Sequence, residues 1–333
     1  MFMSCQKNTI YSNDENANDK KYYGQNLAGN HEFWKNFKGI GFSISSLGIF
    51  SSRGRLQEGL NHVINNNYNM IRTWGTGEYE KFILNEIKSN NLDIKVQLGV
   101  WIDEHKGFRA KIDSALVIAD IYPNAILGLS LGNEMFADFA NSSITVGEVI
   151  EHVEYLRFKS NVPVTYNFAE QSFYQDNFLS QNVKQLLDSL DYINIHLYGN
   201  HHTMRNSGNW TPLKQLETLK NSEKSFFNIL KKINVVDKPV ILGETGWQSN
   251  GYNPEITNVY RMEEFYIMIN NYIYNDDNNF GSMFYFNLTD ESWKSNPNNF
   301  DQNDDNWGIY FEGNNERIGD KKFFYTKIND IIK

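Results

Sequence analysis

Short apolar segments alternate along the chain with longer stretches in which hydrophobic residues recur at helical spacing. Eight segments rich in β-branched or aromatic residues are predicted as strands: GIGFSI (39–44), NMIRTWG (69–75), DIKVQLGVWI (93–102), AILGLSLGNE (125–134), VPVTYNF (162–168), YINIHLY (192–198), PVILGETGW (239–247) and GSMFYFNLTDE (281–291). Between them, apolar residues share one helical face, as Leu56, Leu60 and Val63 do. Strands that are apolar at nearly every position are typical of a parallel sheet covered on both faces.

Eight strand–helix pairs in succession predict a fold of the α/β class, a single (β/α)8 TIM barrel. The length of 333 residues suits one such barrel. An open doubly wound sheet is the alternative, but it requires a glycine-rich phosphate turn after its first strand, and GIGFSISS lacks that pattern. We therefore assign residues 31–333 to the barrel and residues 1–30, which are polar, to a flexible leader.

Composition narrows the range of partners. The net charge is −9 and no basic stripe is visible, so nucleic acid is not an expected partner. No apolar run is long enough to span a membrane. Aromatic residues make up 15% of the chain, which is enough to fill a core and still line a binding surface for a neutral ligand.

The only cysteine, Cys5, excludes an internal disulfide. Its setting, MFMSCQKN, resembles the end of a bacterial lipoprotein signal, in which a small residue precedes the lipidated cysteine. We therefore expect a protein outside the cytoplasm, either secreted or held to a membrane by a lipid anchor at Cys5. The basic start and apolar run of such a signal are missing, so a chance cysteine in a disordered leader is the alternative.

Polar and aromatic residues stand where each predicted strand ends. Active sites of such barrels form from the carboxyl ends of the strands and the loops after them, so these residues are expected on one rim. They are Ser43, Arg72, Trp74, Trp101, Asp103, Asn133, Glu134, Tyr166, His196, Tyr198, Glu244, Trp247, Asp290, Glu291 and Trp293. A carboxylate is costly to bury without a partner. Glu134 and Glu244, after the very apolar fourth and seventh strands, therefore indicate a functional site.

Two carboxylates on one rim are what glycoside hydrolysis requires. One protonates the departing oxygen, and the other attacks or steadies the positively charged sugar carbon. Aromatic rings would stack on the sugar, and Arg72 would lower the pKa of a neighbouring nucleophile. Simpler interpretations remain open: helix N-terminal carboxylates for the two glutamates, an internal ion pair for Arg72, and core packing for His196 and the tryptophans.

Four motifs resemble those of glycoside hydrolase family 17 in clan GH-A: IRTWG (71–75), LGNE (131–134), NIHLYG (194–199) and GETGW (243–247). The resemblance runs from about residue 39 to residue 310, with DESWK (290–294) and NWGIY (306–310) following in family order. It implies a (β/α)8 catalytic domain that acts on β-1,3-glucan by retaining double displacement. Glu134 would be the general acid/base, Glu244 the nucleophile, and Asn133 a hydrogen-bond partner of the sugar 2-hydroxyl.

The same resemblance implies further substrate-site residues. Tyr198 would hydrogen-bond the nucleophile, Arg72 would help to position it, and Trp247 would line the sugar path. The predicted substrate site is completed by Trp74, Trp101, Glu291 and Lys294, the last two of which match a family pair beside the site.

Three alternatives remain at this stage. His196, His201 and His202 raise a metal site as a rival, but their spacing fits no helical set and GNHHTMRNSGN is typical of a loop, so we predict neither a metal nor a cofactor. The same carboxylates would also serve a β-1,3-glucanosyltransferase, and a non-catalytic glycan-binding barrel is a third option. We favour an endo-acting β-1,3-glucanase that acts as a monomer on laminarin-like glucan.

Overall fold

The structure is a computed structural model that describes residues 29–43, 52–102, 108–140, 142–198, 209–235, 237–251, 253–295 and 304–323. Its strands are β1 (Gly39–Gly41), β2 (Met70–Arg72), β3 (Lys95–Val100), β4 (Ile126–Leu131), β5 (Val164–Ala169), β6 (Ile193–His196), β7 (Val240–Thr245) and β8 (Phe280–Tyr285). The α-helices among these residues are α1 (His31–Trp34), α2 (Arg53–Asn65), α3 (Glu78–Ser89), α4 (Phe108–Ile121), α5 (Val146–Lys159), α6 (Asp176–Leu179), α7 (Val183–Ser189), α8 (Pro212–Lys232) and α9 (Val259–Asn275). Most of the predicted leader, including Cys5, lies outside the described residues.

The strands form a closed parallel barrel in chain order, which confirms the predicted single TIM barrel. Closure is made by β1 and β8, where Gly39 pairs with Phe284 and Ile40 with Tyr285. Each strand is buried along its length, as the continuous apolar segments predicted. No helix within the described ranges is both long enough and apolar enough to cross a bilayer.

Several strands end earlier than predicted, because the chain turns at the residues of the rim. The fourth was predicted to reach Glu134, yet β4 ends at Leu131. Gly132 and Glu134 adopt positive φ angles of 63° and 57°, which an extended strand does not accommodate. The predicted strand therefore divides into a buried strand and a sharp turn that carries polar side chains.

The barrel interior is layered. At the amino ends of the strands, α1 closes the barrel and places Trp34 in an apolar cluster with Met70, Leu127, Tyr192, Ile241 and Phe284. Above this plug, polar side chains bond across the interior: Asn194 Nδ2 donates to Asn167 Oδ1 at 2.5 Å, and Asn167 Nδ2 donates to the Gly132 carbonyl at 2.6 Å. These two hydrogen bonds brace the carboxyl ends of β4, β5 and β6.

The outer ring packs its apolar helix faces on the barrel, and the helix ends are capped by side chains. Thr145 caps α5 through Glu148 N at 3.2 Å, while the Glu148 carboxylate accepts from Thr145 N at 2.8 Å. Such a reciprocal cap satisfies two backbone donors that the first helical turn leaves unpaired. Asn258 begins α9 in a related way by accepting from Arg261 N at 3.0 Å.

Candidate active site

Glu134 is placed by the turn that follows β4. Its left-handed backbone is uncommon for a residue with a side chain, and two hydrogen bonds hold it. Glu134 N donates to the Asn167 carbonyl at 3.0 Å, and Met135 N donates to Tyr166 Oη at 3.1 Å. Gly132 must be glycine here, because a Cβ would stand 2.8 Å from the Tyr166 ring at a positive φ. The turn directs the Glu134 side chain into the mouth of the barrel.

Glu244 is placed by β7 itself, opposite His196 in the register with β6. Its carbonyl accepts from Leu197 N at 3.0 Å, which fixes the backbone. Its carboxylate is buried and fully engaged: Tyr198 Oη donates to Oε2 at 2.8 Å, and the Arg72 guanidinium donates to Oε1. Tyr198 and Arg72 therefore contact this carboxylate, as the sequence predicted.

His196 stands between the two carboxylates. Its Nδ1 lies 2.9 Å from Glu134 Oε1 and 3.7 Å from Glu244 Oε1. These two oxygens are therefore no farther apart than the sum of the two distances, 6.6 Å. Carboxyl groups of retaining glycosidases lie about 5–5.5 Å apart and those of inverting enzymes about 6.5–9.5 Å apart. The largest possible separation of these two oxygens, 6.6 Å, thus reaches only the lower edge of the range for inverting enzymes.

The surroundings of Glu244 keep it ionised. Burial acts to raise its pKa, but the electrostatic effects of His196 and Arg72, with hydrogen bonds from Tyr198 and Arg72, lower the pKa by more, to about 2. The phenol of Tyr198 is affected in the opposite direction. Burial, together with the charges of Glu244 and Glu134, raises the pKa of Tyr198, so the hydroxyl stays protonated and able to donate.

Arg72 also orders the neighbouring amide. One of its guanidinium nitrogens donates to Asn133 Oδ1 at 2.7 Å, and its Cζ lies 5.1 Å from the centroid of the Trp74 ring. The bond from Arg72 fixes the orientation of the Asn133 amide, whose nitrogen is its hydrogen-bond donor group. Arg72 is fully buried and bonds to both Asn133 and Glu244. It is therefore an internal ion pair of the barrel and also part of the site.

The predicted tryptophans separate into two groups. Trp74 is partly buried and meets Phe286 edge-on at 5.8 Å, and Trp101 is 45% exposed at the end of β3. Trp293, which was named at a strand end but not assigned to the substrate site, is 60% exposed. These three indoles are accessible to a ligand.

The expectation that Trp247 lines the sugar path was wrong. Its ring is fully buried in the core, packs at 5.7 Å from Phe265, and donates through Nε1 to the Ile256 carbonyl at 3.0 Å. Gly246, just before it, lets the chain pass close to the segment after β8, since a Cβ there would stand 2.3 Å from the Phe286 carbonyl oxygen. Trp247 anchors the loop after β7 and does not contact a ligand.

A second polar cluster lies at the end of β8. Glu291 is buried; its Oε1 accepts from Ser43 Oγ at 2.6 Å, and its Oε2 accepts from Lys294 Nζ at 2.6 Å. The Lys294 ammonium lies 4.6 Å from the centroid of the Phe286 ring, which borders Trp74. The predicted Glu291–Lys294 pair therefore exists and lies beside the aromatic rim.

Sequence reasoning left two residues of this rim out of the predicted site. His196 was weighed as a core histidine, yet it contacts both carboxylates; the only available signal was its place in NIHLYG. Trp307, within NWGIY, packs edge-on against Tyr198 at 5.1 Å and was not singled out. Asp290, predicted on the rim, accepts from Gly308 N at 2.9 Å and from Lys322 Nζ, so it caps a turn.

The rival metal site of His196, His201 and His202 cannot be followed in full, because the last two lie outside the described residues. Asp103, which was predicted on the rim, also lies outside them. Among the residues that the structure describes, no group of three or more His, Cys, Asp or Glu side chains is arranged to hold a metal ion.

The site has two neighbouring carboxylates on one barrel rim, one ionised and one open to the mouth. This is the arrangement that glycoside hydrolases use. The family model of the BtgE/BtgC glycoside hydrolase domain matches residues 46–308. The chain belongs to this family of glycoside hydrolases, and the resemblance to family 17 is confirmed. No curated protein matches the chain.

Solved structures with the same fold include three enzymes that act on β-glucans. They are an endo-laminarinase from Formosa Hel1_33_131 (20% identity, 86% of this chain and 85% of the other, TM-score 0.68), a glycoside hydrolase family 17 β-1,3-glucanosyltransferase from Rhizomucor miehei (16%, 85% and 96%, 0.59) and CJP38, a β-1,3-glucanase and allergen of Cryptomeria japonica pollen (12%, 87% and 100%, 0.64). At these identities the likeness shows a shared fold.

Proposed function

We propose that the protein is a retaining glycoside hydrolase that cleaves β-1,3-glucosidic bonds, with Glu244 as nucleophile and Glu134 as general acid/base. The observation that carries this proposal is the pair of carboxylate oxygens held within 6.6 Å of each other around His196. Such a gap suits direct attack by one carboxylate better than the insertion of a water molecule between them.

In the first step, a Glu244 oxygen attacks the anomeric carbon while Glu134 gives its proton to the departing glycosidic oxygen. The products are a shortened glucan and an ester between Glu244 and the sugar. In the second step, Glu134 takes a proton from water, the water oxygen attacks the anomeric carbon, and the ester bond to Glu244 breaks. The low pKa of Glu244 supports its role, since the attacking group must be ionised.

The neighbouring side chains have distinct roles in this scheme. Arg72 and Tyr198 hold Glu244 in one orientation and stabilise its charge once it departs from the sugar. Asn133, whose oxygen is occupied by Arg72, donates its amide hydrogen to the sugar 2-hydroxyl. His196 fixes the orientation of the Glu134 carboxyl group through the 2.9 Å contact between His196 Nδ1 and Glu134 Oε1.

A neutral, polymeric β-1,3-glucan is the proposed substrate. Exposed indoles at Trp101 and Trp293 offer flat surfaces for sugar rings, and a net charge of −9 does not favour a polyanion. Three neighbours of the same fold are named as an endo-laminarinase, a β-1,3-glucanosyltransferase and a β-1,3-glucanase, which supports this class of substrate.

We also propose that the protein is exported and carries a lipid anchor at Cys5. The test is incorporation of labelled palmitate, which Cys5→Ser should abolish.

Digestion of linear β-1,3-gluco-oligosaccharides of defined length, followed by mass over time, tests the function. We expect only shorter products from the wild type and loss of turnover by several orders of magnitude in Glu134→Gln and Glu244→Gln, because both groups act in the transition state. Products longer than the starting oligosaccharide would favour the glucanosyltransferase alternative. Equal turnover in wild type and both variants would refute the catalytic assignment.

A further inference from the structure

A buried ammonium connects the loop after β7, the strand of Glu244, with the segment after β8 that carries Asp290 and Glu291. Lys322 is fully buried, and its Nζ donates to Asp290 Oδ1 at 2.6 Å and to Ser249 Oγ at 2.6 Å. Ser249 belongs to the loop that follows the end of β7 at Thr245, and Asp290 directly precedes Glu291. Lys322 comes from neither loop, but from the segment that follows the barrel.

The contacts continue from Lys322 towards the nucleophile. Asp290 Oδ1 also accepts from Gly308 N at 2.9 Å, which sets the backbone next to Trp307. The Trp307 ring lies edge-on at 5.1 Å from the ring of Tyr198, the phenol that donates to Glu244. Only glycine fits at position 308, because a Cβ would stand 2.1 Å from the Asp290 nitrogen.

The second partner of Lys322, Ser249, is itself held by hydrogen bonds in the loop after β7. Ser249 N and Oγ both donate to the Asn306 carbonyl, at 2.8 Å and 3.1 Å, so the loop is tied to the same returning segment. Trp247, buried two residues earlier, packs the same loop against the core. The Lys322 ammonium thus bonds both to the loop after β7 and to the segment after β8, on either side of Glu244.

We propose that Lys322 is a positioning residue for the reaction, which acts through Asp290 and Ser249 to hold Tyr198, Glu244 and Glu291 in their reactive arrangement. The inference rests on the proposed function, because it concerns the rate of that reaction. A buried ammonium needs several hydrogen-bond acceptors, and here they come from two segments that flank Glu244, the loop after β7 and the chain after β8.

The test compares Lys322→Met with a matched variant at the opposite end of the barrel. Arg157→Met removes the cation from Asp191, a buried carboxylate that accepts from Arg157 Nε at 3.0 Å before β6 begins. Both proteins are assayed on β-1,3-gluco-oligosaccharides at a temperature at which circular dichroism shows them fully folded. We expect kcat to fall about 10- to 100-fold in Lys322→Met, with KM within about two-fold, and kcat to be unchanged in Arg157→Met.

A double-mutant cycle separates positioning from general stability. If Lys322 acts through Tyr198, then Lys322→Met should lower kcat by much less in a Tyr198→Phe background than in the wild type. Fully additive effects, or an unchanged kcat in folded Lys322→Met, would overturn the proposal.

Ser249→Ala decides the matter if Lys322→Met does not fold, because it removes one hydrogen bond and keeps the ion pair. A reduced kcat with an unchanged melting temperature is expected, and wild-type kcat would overturn the proposal. Failure of the proposed function is recognised separately, by absent wild-type turnover or by full activity in Glu244→Gln.

Discussion

The pH dependence of stability should reveal the ionised state of Glu244 without any substrate. Its pKa in the folded protein, about 2, lies below the ordinary value of 4.5. As pH falls, the unfolded chain therefore binds a proton at this group before the folded protein does, and the folded state loses stability. The contribution is fully present above about pH 4.5 and disappears as pH falls towards 2.

The magnitude follows from the size of the shift. At about 1.4 kcal/mol per pH unit, the whole shift corresponds to roughly 3 kcal/mol, of which about 2 kcal/mol is lost by pH 3. Glu244→Gln keeps the shape of the side chain but cannot titrate. Urea unfolding, followed by tryptophan fluorescence, should show the wild-type free energy of unfolding falling relative to Glu244→Gln by about 2 kcal/mol between pH 6.5 and pH 3.

Titrating groups distant from Glu244 are common to both proteins and largely cancel in this comparison. A difference between wild type and Glu244→Gln that stays constant with pH, or that shifts in favour of the wild type on acidification, would refute the electrostatic account of the site.

Further predictions concern the rim and its supports. Tyr198→Phe removes a 2.8 Å hydrogen bond to a carboxylate, so kcat should fall about 10- to 100-fold with little change in KM; an unchanged kcat would contradict the role. Trp101→Ala should raise KM without changing the melting temperature, whereas Trp247→Ala should lower the free energy of unfolding by about 3–5 kcal/mol, and the reverse pattern would show the two indoles misassigned. Gly132→Ala forces a Cβ against Tyr166 at positive φ and should cost about 1–3 kcal/mol in urea unfolding; equal stability would refute the turn geometry.

Much of the fold could be predicted because the barrel repeats one local pattern eight times. Apolar strand segments and amphipathic helices are encoded by neighbouring residues, and the ends of the strands place polar groups on one rim. For this reason Glu134 and Glu244 could be predicted to face the same space, although 110 positions separate them in the printed sequence.

The remaining features depend on contacts that local pattern does not encode. Trp247 follows a strand and looks accessible in sequence, but its indole packs in the core and donates to the Ile256 carbonyl. His196 has the same sequence environment whether it fills the core or contacts carboxylates, and only the register with β7 decides this. Lys322 bonds to Ser249 across 73 positions of the chain, a pairing without any local signal.

The most direct test of the central claim, that Glu244 is the nucleophile of a retaining reaction, is azide rescue of Glu244→Gly. The assay uses an aryl β-laminaribioside, and NMR spectroscopy determines the anomeric configuration of the product. Azide that occupies the space of the missing carboxylate attacks the anomeric carbon from the same side, so the account predicts restored aryl release and an α-glycosyl azide. A β-glycosyl azide would contradict the assignment, because azide would then have attacked a glycosyl-enzyme formed on another residue.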